Sequence, residues 1–386
     1  MPSYDVIVLG CGAVGSAALL HLARRGLRVV GLERFTSPHD RGSSHGRTRM
    51  IRQAYFEHPD YVPLVLRAYE QWHALEAAVG RTLYRETGLL QIGPPAGVVV
   101  PGVLASAKQH QLAVDELSAD DVARRFPGFR MPPEMAAVFE RRAGFLNVED
   151  CIRAQLEQAV VHGAVLKTDE AAVAWRIDGA NVVVETERER YTAARLVISA
   201  GAWAGQLLHD LNVPLVVRRK PQYWFAPRTA DDYRLDQGAP SFLYETADGT
   251  FYGFPVFGSE GMKCAEHSGG ATVADPLLLP RDVDRADLAR VERFVTDYLP
   301  NLTTHVNDHA ACMYTMSPDE NFLVDLHPQH PQVSFVAGLS GHGFKFAPVL
   351  GEALADFTNG ADHPAGNVED RSETIRLLPH RMQEGN

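Results

Sequence analysis

The chain has 386 residues, 45% of them apolar and 22% charged, with a formal net charge of −11. Fractions of this size exclude global disorder, and the length suits about two domains, or three, of roughly 150 residues. The acidic balance excludes a general binder of nucleic acid or anionic membrane and leaves room only for local basic pockets.

Tyr4-Asp5-Val6-Ile7-Val8-Leu9 is apolar and β-branched and predicts a short buried strand. It runs into Gly10-Cys11-Gly12-Ala13-Val14-Gly15, and a helix is expected over 16–25, where Ala17, Ala18, Leu19, Leu20, Leu22 and Ala23 lead to Gly26. A second strand over 27–32 ends in Glu33. In this order the glycines let backbone approach a pyrophosphate, the helix start offers free N–H groups, and the acid accepts from ribose hydroxyls. A bare tight turn explains the glycines alone, but strand, helix and an acid about 20 residues on make up the dinucleotide fingerprint. That fingerprint does not separate NAD from FAD.

The next polar stretch, 41–52, carries Arg41, Arg47, Arg49 and Arg52 around Ser43-Ser44-His45-Gly46. By composition it reads as a solvated face. By position it follows the ribose-binding strand and lies near the sheet edge where ligands bind. A helix starting near Arg47 would put Arg49 and Arg52 on one face, suited to an anionic substrate or a reduced, anionic cofactor.

A helix is predicted over 61–80 through Leu64, Leu66, Tyr69, Trp72 and Leu75, which read as core. Pro94, Pro101, Pro127, Pro132 and Pro133 then predict loops and short strands. Ile152, Leu156 and Val160 mark a helix over 151–164, and 191–203 is an apolar strand closing on Gly201, a later strand of the nucleotide sheet. Alternation over 261–267 sets Lys263, Ala265 and His267 on one face with Glu266 opposite, either a surface edge strand or part of a site. Cys312 by itself reads as a buried cysteine packing as a small hydrophobe.

The strand at 333–337 leads into Gly338-Leu339-Ser340-Gly341-His342-Gly343-Phe344-Lys345. His342 replaces the last glycine of a G-x-S-x-G elbow, which disfavours a serine hydrolase. Asp325, His327 and His330 have metal-ligand residue types, but Pro328 and Pro331 predict a turn, no second ligand cluster is evident, and no metal is expected. Cys11, Cys151, Cys264 and Cys312 form no Cys-x-x-Cys pair, which favours a reducing compartment. With no basic leader, no run of roughly 18 apolar residues, and a final Gln383-Glu384-Gly385-Asn386 that is no peroxisomal address, a cytoplasmic protein is expected.

Taken in order, these motifs resemble the monomeric sarcosine oxidase family of flavoenzymes, which includes N-methyltryptophan oxidase and pipecolate oxidase. The resemblance runs nearly end to end. It rests on Gly10-x-Gly12-x-x-Gly15 with Glu33, Ser43-Ser44-His45-Gly46 with Arg49 and Arg52, and Ser199-Ala200-Gly201-Ala202-Trp203. It continues through Tyr252-Gly253-Phe254-Pro255, Lys263, His267, Cys312-Met313-Tyr314-Thr315 and Gly341-His342-Gly343-Phe344-Lys345.

The resemblance implies an α/β fold: a Rossmann-like FAD-binding domain interleaved with a substrate domain on an antiparallel or mixed sheet. Residues 1–85, 150–215 and 305–386 would form the first domain, and 86–149 and 216–304 the second. It implies FAD attached covalently as an 8α-S-cysteinyl group at Cys312. It further implies hydride transfer from an N-methyl or cyclic secondary amino acid to the flavin, reduction of O2 to hydrogen peroxide, and hydrolysis of the imine to aldehyde and amine.

The residues follow by the same resemblance. Lys263, Arg49, His45 and His267 would be catalytic, with Lys263 promoting O2 reduction. Arg52 and Lys345 would clamp the substrate carboxylate, with Tyr252 and Tyr314 adding hydroxyl contacts. Cofactor contacts would come from Gly10, Gly12, Ala13, Val14, Gly15, Glu33 and Arg34, then from Ser43, Ser44, Arg49, Val173, Ser199, Gly201 and Trp203. Cys312, Gly341, Gly343, Phe344 and Lys345 would complete them. The implied partners are a small amino acid and O2, with no nucleic acid or membrane, and the protein would be a monomer. A flavin dehydrogenase using another acceptor, an NAD(P)-dependent dehydrogenase and a noncatalytic flavin module stand as alternatives.

Overall fold

The structure, a computed structural model, describes residues 4–228 and 231–358. The C-terminal residues read for a peroxisomal address, and the end of the segment 305–386, lie outside the described residues.

The first sheet is built around the strand Tyr4–Leu9, which runs parallel between Val29–Leu32 and Arg190–Ile198. Val165–Lys167 extends it in parallel beyond Val29–Leu32, and His330–Ala337 does so beyond the C-terminal half of Arg190–Ile198. Buried on both faces, residues 6–9 of the central strand are continuously apolar. Val6 and Val8 pack in the cluster that holds Ala18 and Leu22 of the helix Ala13–Arg24 and Leu350 and Leu354 of the helix Ala347–Thr358. Ile7 and Leu9 face the other way, into a cluster with Val182, Val184, Leu196 and Phe335. The hairpin Ala172–Asp178 with Asn181–Thr186, and the strand Leu323–His327, complete the sheet in antiparallel pairings.

The second sheet runs Leu302–Met316, Val216–Pro227, Met262–Glu266, Gly249–Phe254, Ser241–Thr246, Leu89–Gly93, Ala136–Glu140, Asp115–Leu117. It is mixed, because Ser241–Thr246 pairs parallel with Leu89–Gly93 while its other neighbours are antiparallel. The helix Arg285–Tyr298 covers one face through Leu288, Val291, Phe294 and Val295, and Phe294 stacks on Phe251 with ring centroids 4.5 Å apart. A third, small antiparallel sheet joins Thr48–Ile51, Gly144–Asn147 and Tyr84–Glu86. The whole is a mixed α/β fold.

Two expectations are corrected. The stretch carrying Arg49 and Arg52 is not a helix: Thr48–Ile51 is a strand paired with Gly144–Asn147. Gly46 (φ 88°) and Arg47 (φ 71°) turn the chain in left-handed conformations, and the Glu149 carboxylate accepts from both of their N–H groups, so a helical start is blocked there. The proline-rich stretch contains two helices, Val99–His110 and Ala119–Arg125. Pro101 falls in the first turn of the former, where a missing N–H is tolerated, and Ser118 with Asp121 forms a capping box on the latter. The other helices match closely, at Tyr61–Val79 and Val148–Val161. All four cysteines are unpaired and buried, and among the described residues no helix is long and apolar enough to cross a membrane.

Candidate active site

Three parallel strands of the first sheet end at one edge, and each passes directly into the wall of a cavity of about 460 Å³: Leu9 into Gly10, Leu32 into Glu33, and Ile198 into Ser199. The helix Ala13–Arg24 starts from Gly12 with no side-chain cap, so its first N–H groups are left for a ligand. Gly10, Gly12, Ala13, Val14, Glu33, Arg34, Ser43, Ser44, Arg49, Val173, Ser199, Gly201, Trp203, Gly341, Gly343 and Phe344, all predicted contacts, line this cavity. Gly15 stands behind it.

Glu33 does more than the fingerprint asks. Its Oε2 accepts from the Cys11 N–H at 2.8 Å, and its Oε1 accepts from the Phe35 N–H at 3.2 Å and lies 3.2 Å from His39 Nε2. The carboxylate therefore ties the glycine loop to the chain after the second strand. His39, Glu187 and Gln206 also line the cavity and were not predicted, because nothing in their spacing refers to the glycine loop. The Trp203 Nε1 and the Thr315 Oγ1 are buried without a partner among the described residues, and both residues line the cavity. A long, mainly apolar cleft with unpaired polar atoms along it suits a flavin dinucleotide.

Arg49 connects this cavity to Cys312. Its Nη1 donates to the Thr48 carbonyl at 2.8 Å, and its Nη2 donates to the Ser43 carbonyl at 2.7 Å and to Cys312 Sγ at 3.1 Å. Cys312 Sγ also lies 3.3 Å from the Ser43 carbonyl, within reach of its own S–H. Lys263 is fully engaged behind the same loop, its Nζ donating to the Gly46 carbonyl (2.6 Å), the Thr48 carbonyl (3.2 Å) and Thr48 Oγ1 (3.1 Å). Burial, with Arg49 adding to it, pushes the Lys263 ammonium well below its usual range. His45 is buried with Nε2 unpartnered, and burial together with Arg49 and Lys263 lowers it to about 3, so it is neutral. Cys312, Lys263 and His45 thus stand one layer back from the walls formed by Ser43 and Arg49.

A second, smaller cavity of about 50 Å³ adjoins the first and shares Arg49, Tyr314, Gly341 and Phe344 with it. Four more predicted residues meet there: Arg52, Tyr252, His267 and Lys345. Lys345 lines this cavity and not the larger one. Gly341 (φ 84°) lies flat on the Tyr314 ring, where a Cβ would fall 2.3 Å from a ring carbon. His267 Nδ1 lies 3.3 Å from the Tyr314 hydroxyl, and burial, with Lys220 next, lowers it to about 3. Lys220, opposite Cys312 in register, donates to the carbonyls of His267 (2.6 Å) and Ser268 (2.7 Å).

Arg52 and Lys345 do not touch an acid alike. Arg52 is ion-paired with Glu57 and sandwiched by the rings of Tyr55 and Phe56, each centroid 4.4 Å from its Cζ. Burial pushes Glu57 up, but Arg52, His342 and Lys345 outweigh it and hold the carboxyl at about 2. Lys345 Nζ donates to the His342 carbonyl at 2.8 Å and reaches the Tyr55 hydroxyl at 3.4 Å, and burial and Arg52 push its ammonium well below the usual range. Tyr55, Glu57 and His342 were missed. The signal was present in Arg52-Gln53-Ala54-Tyr55-Phe56-Glu57, an arginine followed closely by two aromatics and an acid.

The Asp325–His330 stretch is a hairpin, with Pro331 inside the strand His330–Ala337 instead of a turn. His327 and His330 meet Asp210 from a distant segment, with donor atoms within 4.8 Å of one another. His327 Nδ1 accepts from the Gln329 N–H (3.3 Å), so its Nε2 carries the proton and donates to Asp210 Oδ2 at 2.9 Å. Asp210, His327 and His330 therefore meet from two distant segments, with His327 and Asp210 hydrogen-bonded.

Residues 5–357 match the DAO family, FAD dependent oxidoreductase. The chain is 41% identical over 376 residues to a monomeric sarcosine oxidase of Streptomyces avermitilis, covering 96% of this chain and 98% of that one. It is 36% identical over 359 residues to an N-methyl-L-tryptophan oxidase of Citrobacter koseri, covering 92% and 95%. Its fold is similar to that of NikD, an unusual amino acid oxidase essential for nikkomycin biosynthesis, with a TM-score of 0.83 at 24% identity over 97% of each chain. The glycine oxidase from Geobacillus kaustophilus is similar in fold with a TM-score of 0.77 at 18% identity, over 96% and 98%. With a matched profile spanning nearly its whole length and a cleft suited to the dinucleotide, the chain belongs to the FAD-dependent oxidoreductase family.

Proposed function

We propose that the protein oxidises small N-methyl or cyclic secondary amino acids with O2, producing hydrogen peroxide and an imine that hydrolyses to aldehyde and amine. One observation carries this reading: two buried cations, Arg52 and Lys345, share a small cavity with Tyr252, Tyr314 and His267, directly against the dinucleotide cleft. The similarity to sarcosine and N-methyltryptophan oxidases supports it.

Bound FAD would supply the hydride acceptor and the route for electrons to O2. Gly12 and the start of the helix Ala13–Arg24 would hold its pyrophosphate, Glu33 its ribose, and the 338–344 loop and Arg49 its ring end. Cys312 is the attachment point in this reading, through a thioether to the flavin 8α carbon. The Arg49 guanidinium, 3.1 Å from Sγ, is the cation beside that sulfur. Lys263, held in place by three acceptors, would stabilise the anion formed from O2 through its ammonium, and that anion would in turn offset the burial that lowers the lysine's pKa.

The substrate carboxylate would sit between Arg52 and Lys345. Because Glu57 is ionised at neutral pH, Arg52 already holds a carboxylate, so an incoming acid exchanges for it on like terms and a neutral ligand does not. The surrounding cations disfavour an ammonium, so the amine binds neutral, with the lone pair that hydride loss requires. A cavity of 50 Å³ holds about three to five water-sized groups at roughly 10–15 Å³ each, which favours sarcosine over an indole-bearing substrate.

The domain division stays part of this proposal. Tyr4–Leu9 and Val29–Leu32 of 1–85, the strands of 150–215 and those after Met316 share the first sheet, whereas Thr48–Ile51 and Tyr84–Glu86 pair in the third and Leu302–Met316 in the second, so in this reading the last segment of the FAD-binding domain would begin after Met316 and not at 305. A monomer in the cytoplasm completes the reading.

The test is a peroxide-coupled screen over sarcosine, other N-methyl amino acids, proline and pipecolate. Peroxide released fastest with sarcosine is the expected result. Turnover with an artificial electron acceptor but without peroxide in air would overturn the oxidase assignment in favour of a dehydrogenase.

A further inference from the structure

We propose that Tyr55 and His342 are positioning residues that hold the Lys345 ammonium aimed into the small cavity. The inference rests on the proposed reading of Lys345 as a carboxylate ligand and adds how that ligand is kept in place.

The direction of each hydrogen bond follows from the partners. His342 Nε2 lies 3.0 Å from the Glu320 carbonyl, which can only accept, so Nε2 carries a proton. Glu320 offers that carbonyl from a left-handed conformation (φ 62°) that a non-glycine residue rarely adopts, so the surroundings hold it there. His342 is neutral, since burial lowers it to about 4, and its Nδ1 is therefore an acceptor. The Tyr55 hydroxyl, 2.6 Å from Nδ1, must donate to it. Its other contact with His342, 3.4 Å to the carbonyl oxygen, is longer and takes second place.

With its proton committed to His342, the Tyr55 oxygen turns only lone pairs toward Lys345 Nζ at 3.4 Å. Lys345 has three protons. One goes to the His342 carbonyl at 2.8 Å and one to Tyr55, and Lys345 lines the cavity where the third is left for an anion. His342 thus contributes twice, through its carbonyl and through the tautomer that fixes Tyr55. Without the imidazole, the phenol proton could rotate toward Lys345 and repel it. The same Tyr55 ring lies under both cations, 4.4 Å from Arg52 Cζ and 5.2 Å from Lys345 Nζ, so one side chain registers both halves of the clamp.

The test uses holoenzyme variants, with sarcosine turnover and competitive inhibition by acetate, a carboxylate without an amine. Lys345→Met tests the underlying reading: it should raise the acetate inhibition constant at least about tenfold. Tyr55→Phe keeps the ring and removes only the hydroxyl. It should raise the acetate constant and the sarcosine KM about three- to tenfold with kcat within about twofold, and add nothing further in the Lys345→Met background. His342→Asn retains an acceptor near the Nδ1 position and should stay closer to wild type than His342→Leu.

If Lys345→Met leaves acetate binding unchanged, the clamp itself fails. If Lys345→Met weakens acetate but Tyr55→Phe does not, or if the two effects simply add, the positioning role is overturned. A purely structural role would lower kcat and thermal stability and would not give this KM-only, non-additive pattern.

Discussion

Gly12 and Gly15 belong to one motif, yet the structure assigns them different reasons, and alanine separates those reasons. A Cβ on Gly12 would meet nothing within 4 Å, and its φ of −72° suits any residue. Gly12→Ala should therefore leave the apoprotein as stable as wild type, or stabilise it by up to about 1 kcal/mol through a less flexible unfolded chain. The methyl points where the cleft must admit a pyrophosphate, so FAD affinity should fall at least about tenfold, roughly 1.4 kcal/mol. Gly15 is the reverse. Its Cβ would stand 1.8 Å from the Gly10 carbonyl oxygen and 2.4 Å from Ser199 Oγ, so strand and helix must separate. Against a helix-propensity gain of about 1 kcal/mol, overpacking of about 1–3 kcal/mol leaves Gly15→Ala destabilised even without cofactor. Apoproteins from riboflavin-starved cells, melted by circular dichroism and then titrated with FAD by fluorescence, distinguish the two. An apo Gly12→Ala that melts well below wild type, or binds FAD equally well, would refute the reasoning.

Three further outcomes follow from the site. Cys312→Ala should release all its flavin into the supernatant on acid precipitation, whereas wild type should keep its flavin with the pellet; free flavin from wild type would refute the linkage. Lys263→Met should slow reoxidation by O2 far more than anaerobic reduction by sarcosine, and stopped-flow traces with equal losses in both half-reactions would count against its role. Glu57→Gln removes the internal competitor for Arg52 and should lower the acetate inhibition constant; a higher constant would mean that Glu57 supports the bound carboxylate. The same variant has a pH signature. Glu57 is depressed from 4.5 to about 2, so its stabilising contribution is complete above pH 4.5 and is lost as pH falls through about 2. Over that window wild type should lose up to about 3 kcal/mol relative to Glu57→Gln in acid unfolding.

Legibility followed the range of the interactions. The nucleotide half could be read because strand, glycine loop, helix and acid are contiguous, and their chemistry is fixed by local backbone geometry. Of the arginines of 41–52, Arg49 and Arg52 line the cavities beside the sheet edge while Arg41 and Arg47 do not, and the element was misread as a helix because the strand Thr48–Ile51 depends on Gly144–Asn147 and Glu149, about 100 residues away. Lys263 and His267 fell on the face that alternation predicts. What remained hidden were partners whose role exists only across the chain: Glu57 against Arg52, Lys220 beneath His267, and Tyr55 bonded to a histidine 287 residues later. The same holds for Asp210, which meets His327 from 117 residues away.

The way the cations are satisfied explains how a chain of net charge −11 can hold a positive site. Arg49, Arg52, Lys220, Lys263 and Lys345 are all at most 9% exposed. Of these five, only Arg52 has a carboxylate within ion-pair distance among the described residues. The other four donate to carbonyls: Arg49 to Thr48 and Ser43, Lys220 to His267 and Ser268, Lys263 to Gly46 and Thr48, and Lys345 to His342. A carbonyl completes a hydrogen bond without cancelling the charge, so the donors are satisfied while the potential stays uncompensated. Burial acts on that unneutralised charge, and the lowered ammonium pKa values of Lys220 (to about 8), Lys263 and Lys345 are its mark. Pairing each cation with an acid would relieve those shifts and leave a neutral pocket with no preference for anions. Leaving the charge open makes arrival of an anion such as a carboxylate the event that relieves it, and Arg52 differs from the rest because its acid, Glu57, lies in the same small cavity and can be exchanged.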